Sequence, residues 1–150
     1  TLLDQLDELY TACGYHCEGQ KSIYCEGPTG KAKIDGLMQT LREAPPAQFG
    51  PVRFTEVCDY KTGNRAEIPS GNALPSVESP RGDLLFYKSD PRSSIRVQIA
   101  GRPSGTEPKI KFYVLGRQAV SNGEVKAARQ RMAKLIAAIK DDISRMVKEV

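Results

Sequence analysis

Ile95-Arg96-Val97-Gln98-Ile99-Ala100-Gly101-Arg102-Pro103-Ser104-Gly105-Thr106-Glu107-Pro108-Lys109-Ile110-Lys111-Phe112-Tyr113-Val114 is the stretch on which the fold turns. Ile95, Val97 and Ile99 alternate with Arg96 and Gln98. Beyond the loop, Ile110, Phe112 and Val114 alternate with Lys111 and Tyr113. A period of two reads as two half-buried strands. The Pro-Ser-Gly run between them is rich in turn formers, so the pair reads as a broad hairpin with one apolar face. That face needs a cover, and the rest of the chain has to supply it.

The loop itself, residues 101–109, holds a guanidinium, two hydroxyls, a glycine and an ammonium. Arginine offers a planar fork of donors that matches phosphate oxygens. Ser104 and Thr106 each add a hydroxyl. Gly105 lets successive amides turn toward one concavity, an anion-binding nest. Residue types alone leave two readings open at even weight, a phosphate cradle and a solvated charged turn.

Outward from the hairpin, the covering elements are helices. Val125, Ala128, Met132, Leu135, Ile136, Ile139, Ile143, Met146 and Val147 form one apolar stripe on a C-terminal helix, and Ser121 with Glu124 forms a capping box at its start. A second helix is expected over about residues 30–42, with Ile34, Leu37, Met38 and Leu41 on one face and Pro45-Pro46 ending it. Leu2, Leu3, Leu6, Leu9, Tyr10 and Cys13 mark a third at the start, stopped by Gly14, and its leucines call for a partner surface. Strands are expected over 21–26, over 52–60 with a bulge, and over 84–87. Residues 61–64 read as a turn and 68–82 as a long irregular loop. The order defines an α+β fold, an antiparallel sheet packed with helices on one face.

Composition narrows the function. The chain has 150 residues and a formal net charge of +4, enough for one domain with a real core or one domain plus a fragment. That charge suits an anionic ligand. No block of basic residues and no interleaved aromatics argue for nucleic acid. No apolar run is long enough to span a bilayer, and the first residues lack the pattern of a signal peptide, so the expectation is a cytoplasmic protein with no membrane partner. Cys13, Cys17, Cys25 and Cys58 read as reduced thiols; Cys13, His16 and Cys17 lie close together, but their spacing is not that of a common zinc finger.

Other motifs read as structural. Gly27-Pro28-Thr29-Gly30-Lys31 lacks the first glycine and the final hydroxyl of a P-loop, with Cys25 and Ala32 in those places, and is better read as the start of a helix with a surface lysine. His16, the single histidine, has no identifiable Ser or Asp partner. Asp59 and Asp90 sit where aspartate caps turns.

Arg102 to Tyr113 closely resembles, without a gap, the phosphoglucomutase/phosphomannomutase family, the α-D-phosphohexomutases. Leu6-x-x-Leu9-Tyr10 running into Gly14-Tyr15-His16, and Asp59-Tyr60-Lys61-Thr62-Gly63, support the match. These side features resemble most the branch with phosphopentomutase-like phosphoglucomutases. The resemblance covers nearly the whole chain but only the last part of the family's four-domain protein. It implies that residues 18–150 are the fourth, TATA-binding-protein-like domain and residues 1–17 the closing helix of the third. It also implies that Arg102, Ser104, Gly105 and Thr106 hold the substrate phosphate, with Lys109 nearby and Glu107 and Pro108 shaping the loop.

For the intact enzyme, the resemblance implies transfer of a phosphoryl group between the 1- and 6-positions of a sugar phosphate, or to the 5-position of a pentose. Phosphoserine and a sugar bisphosphate intermediate carry the transfer, and Mg2+ is the cofactor. The chain contains no Thr-x-Ser-His-Asn segment, no Asp-Gly-Asp-x-Asp-Arg metal loop and no Gly-Glu-x-Ser-Gly sugar loop. No catalytic residue and no metal ligand are therefore assigned in it, and its partners are a phosphosugar and the N-terminal domains of the same protein. Two alternatives stand beside this reading: a non-catalytic phosphosugar-binding module, and a structural or nucleic-acid-binding domain whose loop is incidental.

Overall fold

The computed structural model describes residues 1–78, 81–121 and 123–148, which form three helices and eight strands. In chain order these are α1 (Leu2–Cys13), β1 (Tyr15–Tyr24), α2 (Gly30–Glu43), β2 (Gln48–Phe49), β3 (Val52–Asp59) and β4 (Asn64–Glu67). There follow β5 (Ala73–Leu74), β6 (Leu85–Ser89), β7 (Ile95–Pro103), β8 (Lys109–Gln118) and α3 (Val125–Lys148). The sheet order is β1-β8-β7-β6-β3-β4-β5, with β2 pairing beside β3, and every pairing is antiparallel.

The alternation in β7 and β8 does what the pattern predicts. Val97, Ile99, Ile110, Phe112 and Val114 are buried in one cluster with Ile34, Leu37, Met38 and Leu41 of α2 and Ile136, Ile139 and Ile143 of α3. Both helices therefore cover the same face of the sheet, and the α+β arrangement of helices on one face of an antiparallel sheet is the observed one. Two glycines let α3 lie close. A Cβ at Gly19 of β1 would run into Ile136, and one at Gly116 of β8 into Met132. At the far side of the core, Phe49, Phe54 and Tyr87 meet edge to face with ring centroids 5.3, 5.3 and 6.2 Å apart. Burial raises the Tyr87 hydroxyl's pKa, so it stays a donor and bonds the Leu41 carbonyl at 3.2 Å, pinning the end of α2 to β6.

Several boundaries move. β1 starts at Tyr15, six residues before the strand expected at 21–26, and pairs β8 along ten residues. The position between residues 17 and 18 thus falls inside a continuous strand. The 68–82 loop is partly ordered sheet, since β5 lies within it and pairs β4; its Ser79 and Pro80 lie outside the described residues. The bulge expected in β3 is present as a register shift between Phe54 and Glu56. α1 ends at Gly14, whose φ of 91° is left-handed and whose amide donates to Tyr10 O at 2.8 Å. Leu2, Leu3 and Leu9 of that helix are exposed. At the start of α3, the Ser121 amide donates to the Glu124 carboxylate at 3.0 Å, which is half of the predicted capping box. Asp59 and Asp90 cap their turns as read, accepting from the amides of Lys61 at 3.0 Å and Arg92 at 2.9 Å.

The sheet face turned away from the helices carries charge. There Glu56 accepts from Lys88 at 2.8 Å and from Arg65 at 3.0 Å. Burial pushes the Glu56 carboxyl pKa up, but the two cations outweigh it and hold it below the ordinary glutamate value. A depressed carboxylate contributes stability above its unfolded pKa and loses it as pH falls through the folded value. Glu56→Gln is therefore expected to cost about 1–2 kcal/mol at neutral pH. The variant should also lose less stability than the wild type on acidification. Urea midpoints at neutral and acid pH check this, and equal acid slopes for the two proteins would refute it.

Candidate functional site

The loop 104–108 hangs between the ends of β7 and β8, and both strands run further into it than their apolar alternation alone indicates. Arg102 and Pro103 are still in β7, and the register sets Arg102 opposite Lys111 and Pro103 opposite Ile110. Since Ile110 and Phe112 face the helices, Arg102, Lys111 and Tyr113 share the open face. Side chains from this face and from the loop enclose a cavity of about 210 Å³ lined by Arg102, Pro103, Ser104, Gly105, Lys109, Lys111 and Tyr113.

Backbone bonds hold the loop. The Ser104 amide donates to Lys109 O at 2.8 Å, and the Lys109 amide to Glu107 O at 2.7 Å. The Glu107 amide donates to Ser104 Oγ at 3.3 Å, which leaves the serine's own proton free to donate. The amides of Gly105 and Thr106 meet no protein acceptor among the described residues. Cys25 N donates to Pro108 O at 2.9 Å and ties the loop to the end of β1. Beneath that tie lies Gly30: a Cβ there would run into the Cys25 carbonyl and come within 3.2 Å of Pro108 Cβ. The Gly27–Lys31 turn is thus a packing surface for the loop, and Lys31 lies at the surface, 3.8 Å from Asp35.

Three cations converge on the cavity. Arg102 and Lys111 have no carboxylate within ion-pair reach among the described residues. Lys109 pairs with Glu107, and its ammonium stands 5.6 Å from the centroid of the Tyr24 ring. The bond to Glu107 raises the Lys109 pKa above the ordinary lysine value. A raised ammonium adds stability below its unfolded pKa and loses it as pH climbs through the folded one. Glu107→Gln is expected to bring the Lys109 pKa down toward the ordinary value. An alkaline NMR titration of the Lys109 Cε signal checks this, and an unchanged midpoint would rule out the Glu107 bond as its cause.

Of the residues read from the sequence, Arg102, Ser104, Gly105 and Lys109 come together around one cavity. Thr106 sits exposed at the loop tip and does not line it. Gly105 is not in the left-handed region, and a Cβ there would meet open space, so the loop makes no positive-φ nest at that residue. Lys111 and Tyr113 are added to the set. The alternation placed both opposite Ile110 and Phe112, and the same parity places Arg102 with them, so the signal was present in the pattern.

The remaining candidates lie elsewhere. His16 is on β1 opposite Arg117, with Nε2 3.4 Å from Cys13 O. The four cysteines are unpaired. Burial raises the thiol pKa of Cys17 and of Cys58, which keeps both protonated at neutral pH. Among the described residues no three His, Cys, Asp or Glu side chains come together as a metal site. Also among the described residues, no helix is long and apolar enough to cross a membrane.

Helices on one face of an antiparallel sheet, with a strand–loop–strand that carries three cations, define an α+β domain built around a cationic hairpin. No family model matches the chain. Among curated proteins, the phosphoglucomutase of Staphylococcus aureus strain MRSA252 is 33% identical over 114 residues, which is 76% of this chain and 20% of that protein. The phosphoglucomutases of strains USA300 and N315 match over the same shares at 33% and 32% identity. The chain belongs to the phosphohexomutase family and spans about a fifth of the length of the relatives it matches.

Proposed function

We propose that this chain is the phosphate-anchoring part of a phosphosugar mutase, with residues 18–150, and residues 15–17 continuous with them in β1, as the anchoring domain and helix α1 contributed by the domain before it. The observation that carries the proposal is the cavity lined by Arg102, Ser104, Lys109 and Lys111, next to the amides of Gly105 and Thr106, which meet no protein acceptor among the described residues. A fork of charged donors with free hydroxyl and amide protons suits the three terminal oxygens of a phosphate. Thr106, exposed at the tip, is the second hydroxyl of the loop and would have to move to reach a phosphate held in this cavity.

In the whole enzyme a phosphoserine gives its phosphoryl group to the free hydroxyl of a sugar phosphate. The serine then takes a phosphoryl group back from the other end of the resulting bisphosphate. Each end must face one serine in turn, so the end that is not reacting needs a fixed hold. A domain that grips it and closes over the cleft supplies orientation and excludes water. The serine and the Mg2+ site belong to segments that this sequence does not contain, so the chain alone binds without turning substrate over.

Titration of the chain with glucose 1-phosphate, followed by amide NMR, tests the assignment. Saturating shifts centred on Ser104 to Thr106 and Lys111 are expected at millimolar ligand. Shifts spread over other surfaces, or none, would remove the proposal. Tight binding to DNA with a steep salt dependence and no response to Arg102→Ala would favour a nucleic-acid domain instead.

A further inference from the structure

A second cationic cavity lies on the same open face of the sheet, at the other end of β7 and β8. Its volume is about 580 Å³, and His16, Glu18, Arg96, Gln98, Leu115 and Arg117 line it. It is distinct from the loop site. The register places Arg96 opposite Arg117 and Arg102 opposite Lys111, six residues apart along the strand. At about 3.3 Å per residue the two pairs are about 20 Å apart.

Two guanidiniums in one cross-strand pair repel each other, an arrangement that weakens a sheet unless a counter-charge sits between them. Neither Arg96 nor Arg117 has a carboxylate within 4.0 Å among the described residues, although Glu18 lines the same cavity. By contrast, Arg65 of β4, further along the same sheet, is neutralised by Glu56 at 2.9 Å.

Arg117 is also held in place. Its Nε donates to Cys13 O at 2.9 Å, and the α1–β1 corner wedges it, since a Cβ at Gly14 would approach that Nε to 3.0 Å. Fixing Nε leaves the two terminal nitrogens of the fork to a ligand. Gln98 adds an exposed amide and Leu115 an apolar wall. The volume falls within the range of sites for small organic ligands.

We propose that Arg96 and Arg117 form a second oxyanion site, for a small divalent anion of the phosphate class, independent of the loop at 104–108. Gln98 donates to the anion. Glu18 and His16, which line the same cavity, meet hydroxyl groups if the phosphate is carried on an organic body.

The test uses the whole chain bearing Arg102→Ala, which weakens the loop site, and inorganic phosphate at constant ionic strength with chloride as balance. Saturating shifts are expected at the amides of Glu18, Gln98 and Leu115 and at Arg117 Nε–H. Arg96→Gln should weaken them by about tenfold or more. Leu115→Glu, which sets a carboxylate on an exposed wall without touching the core, should abolish them. Repeating the titration with glucose 1-phosphate separates a preference for the bare ion from one for an organic phosphate. Shifts that chloride reproduces, or that survive both substitutions in a folded chain, overturn the proposal.

Discussion

Arg102→Ala is expected to weaken glucose 1-phosphate binding at the loop by about one to two decades while leaving the fold intact. Arg102 lies in β7 opposite Lys111, is exposed, and has no ion-pair partner among the described residues. Nothing in the core depends on it, so a change in stability beyond about 0.5 kcal/mol is not expected. Its fork offers two charge-assisted bonds to a phosphate, each worth about 1.5–3 kcal/mol. Losing that hold, with partial compensation from Lys109 and Lys111, corresponds to the stated range. Arg102→Lys keeps the charge but not the planar fork, and should recover only part of the loss. Calorimetric titration of the three proteins decides it. Wild-type affinity in the alanine variant would show that the phosphate is held by something other than this pair of strands.

Phe112→Ala is expected to do the reverse, costing about 3–5 kcal/mol of stability without removing any group that lines the cavity. Phe112 has no exposed surface and sits on β8 between the two helices, next to Gly101, where a Cβ would come 3.0 Å from its ring. Truncation leaves a hole that packed neighbours fill only in part. Against the roughly 5–15 kcal/mol that holds a domain folded, that loss is large. It bears on the site as well, because Lys111 and Tyr113 flank Phe112 and depend on β8 keeping its pleat. Urea unfolding measures the loss. A cost below about 1 kcal/mol would mean that the β8 core is not packed as described. In the remaining folded fraction, phosphate affinity should stay near that of the wild type.

The helices and the central hairpin were legible because their signals are local and strong. Ile139 and Ile143 recur at helical spacing, and Ile110, Phe112 and Val114 at strand spacing, wherever the chain goes afterwards. Residues 15–20 carry no such signal. Cys17, Glu18, Gly19 and Gln20 are ordinary as strand formers, and they extend because β8 offers them a ten-residue partner. The same holds for the polar Asn64–Glu67 and the two-residue edge strand Ala73–Leu74, which exist as strands only through their neighbours. At the site, Arg102, Ser104, Gly105 and Lys109 were readable as a group because they are close in sequence. Lys111 and Tyr113 enter with the pairing of β7 and β8, which turns a shared parity into a shared cavity.

From its own order, the sequence dictated which residues avoid water, where helices stop, and that one loop gathers donors suited to an oxyanion; burial and hydrogen bonding act on each residue type alike in any fold. The tertiary structure decided which charges stand beside each other. The register of β7 on β8 sets Arg102 against Lys111 and Arg96 against Arg117, and the packing of β1 beside β8 sets Pro108 under the amide of Cys25. Such meetings depend on the sheet's pairing as a whole, since a slip of one residue would turn each of these side chains to the opposite face.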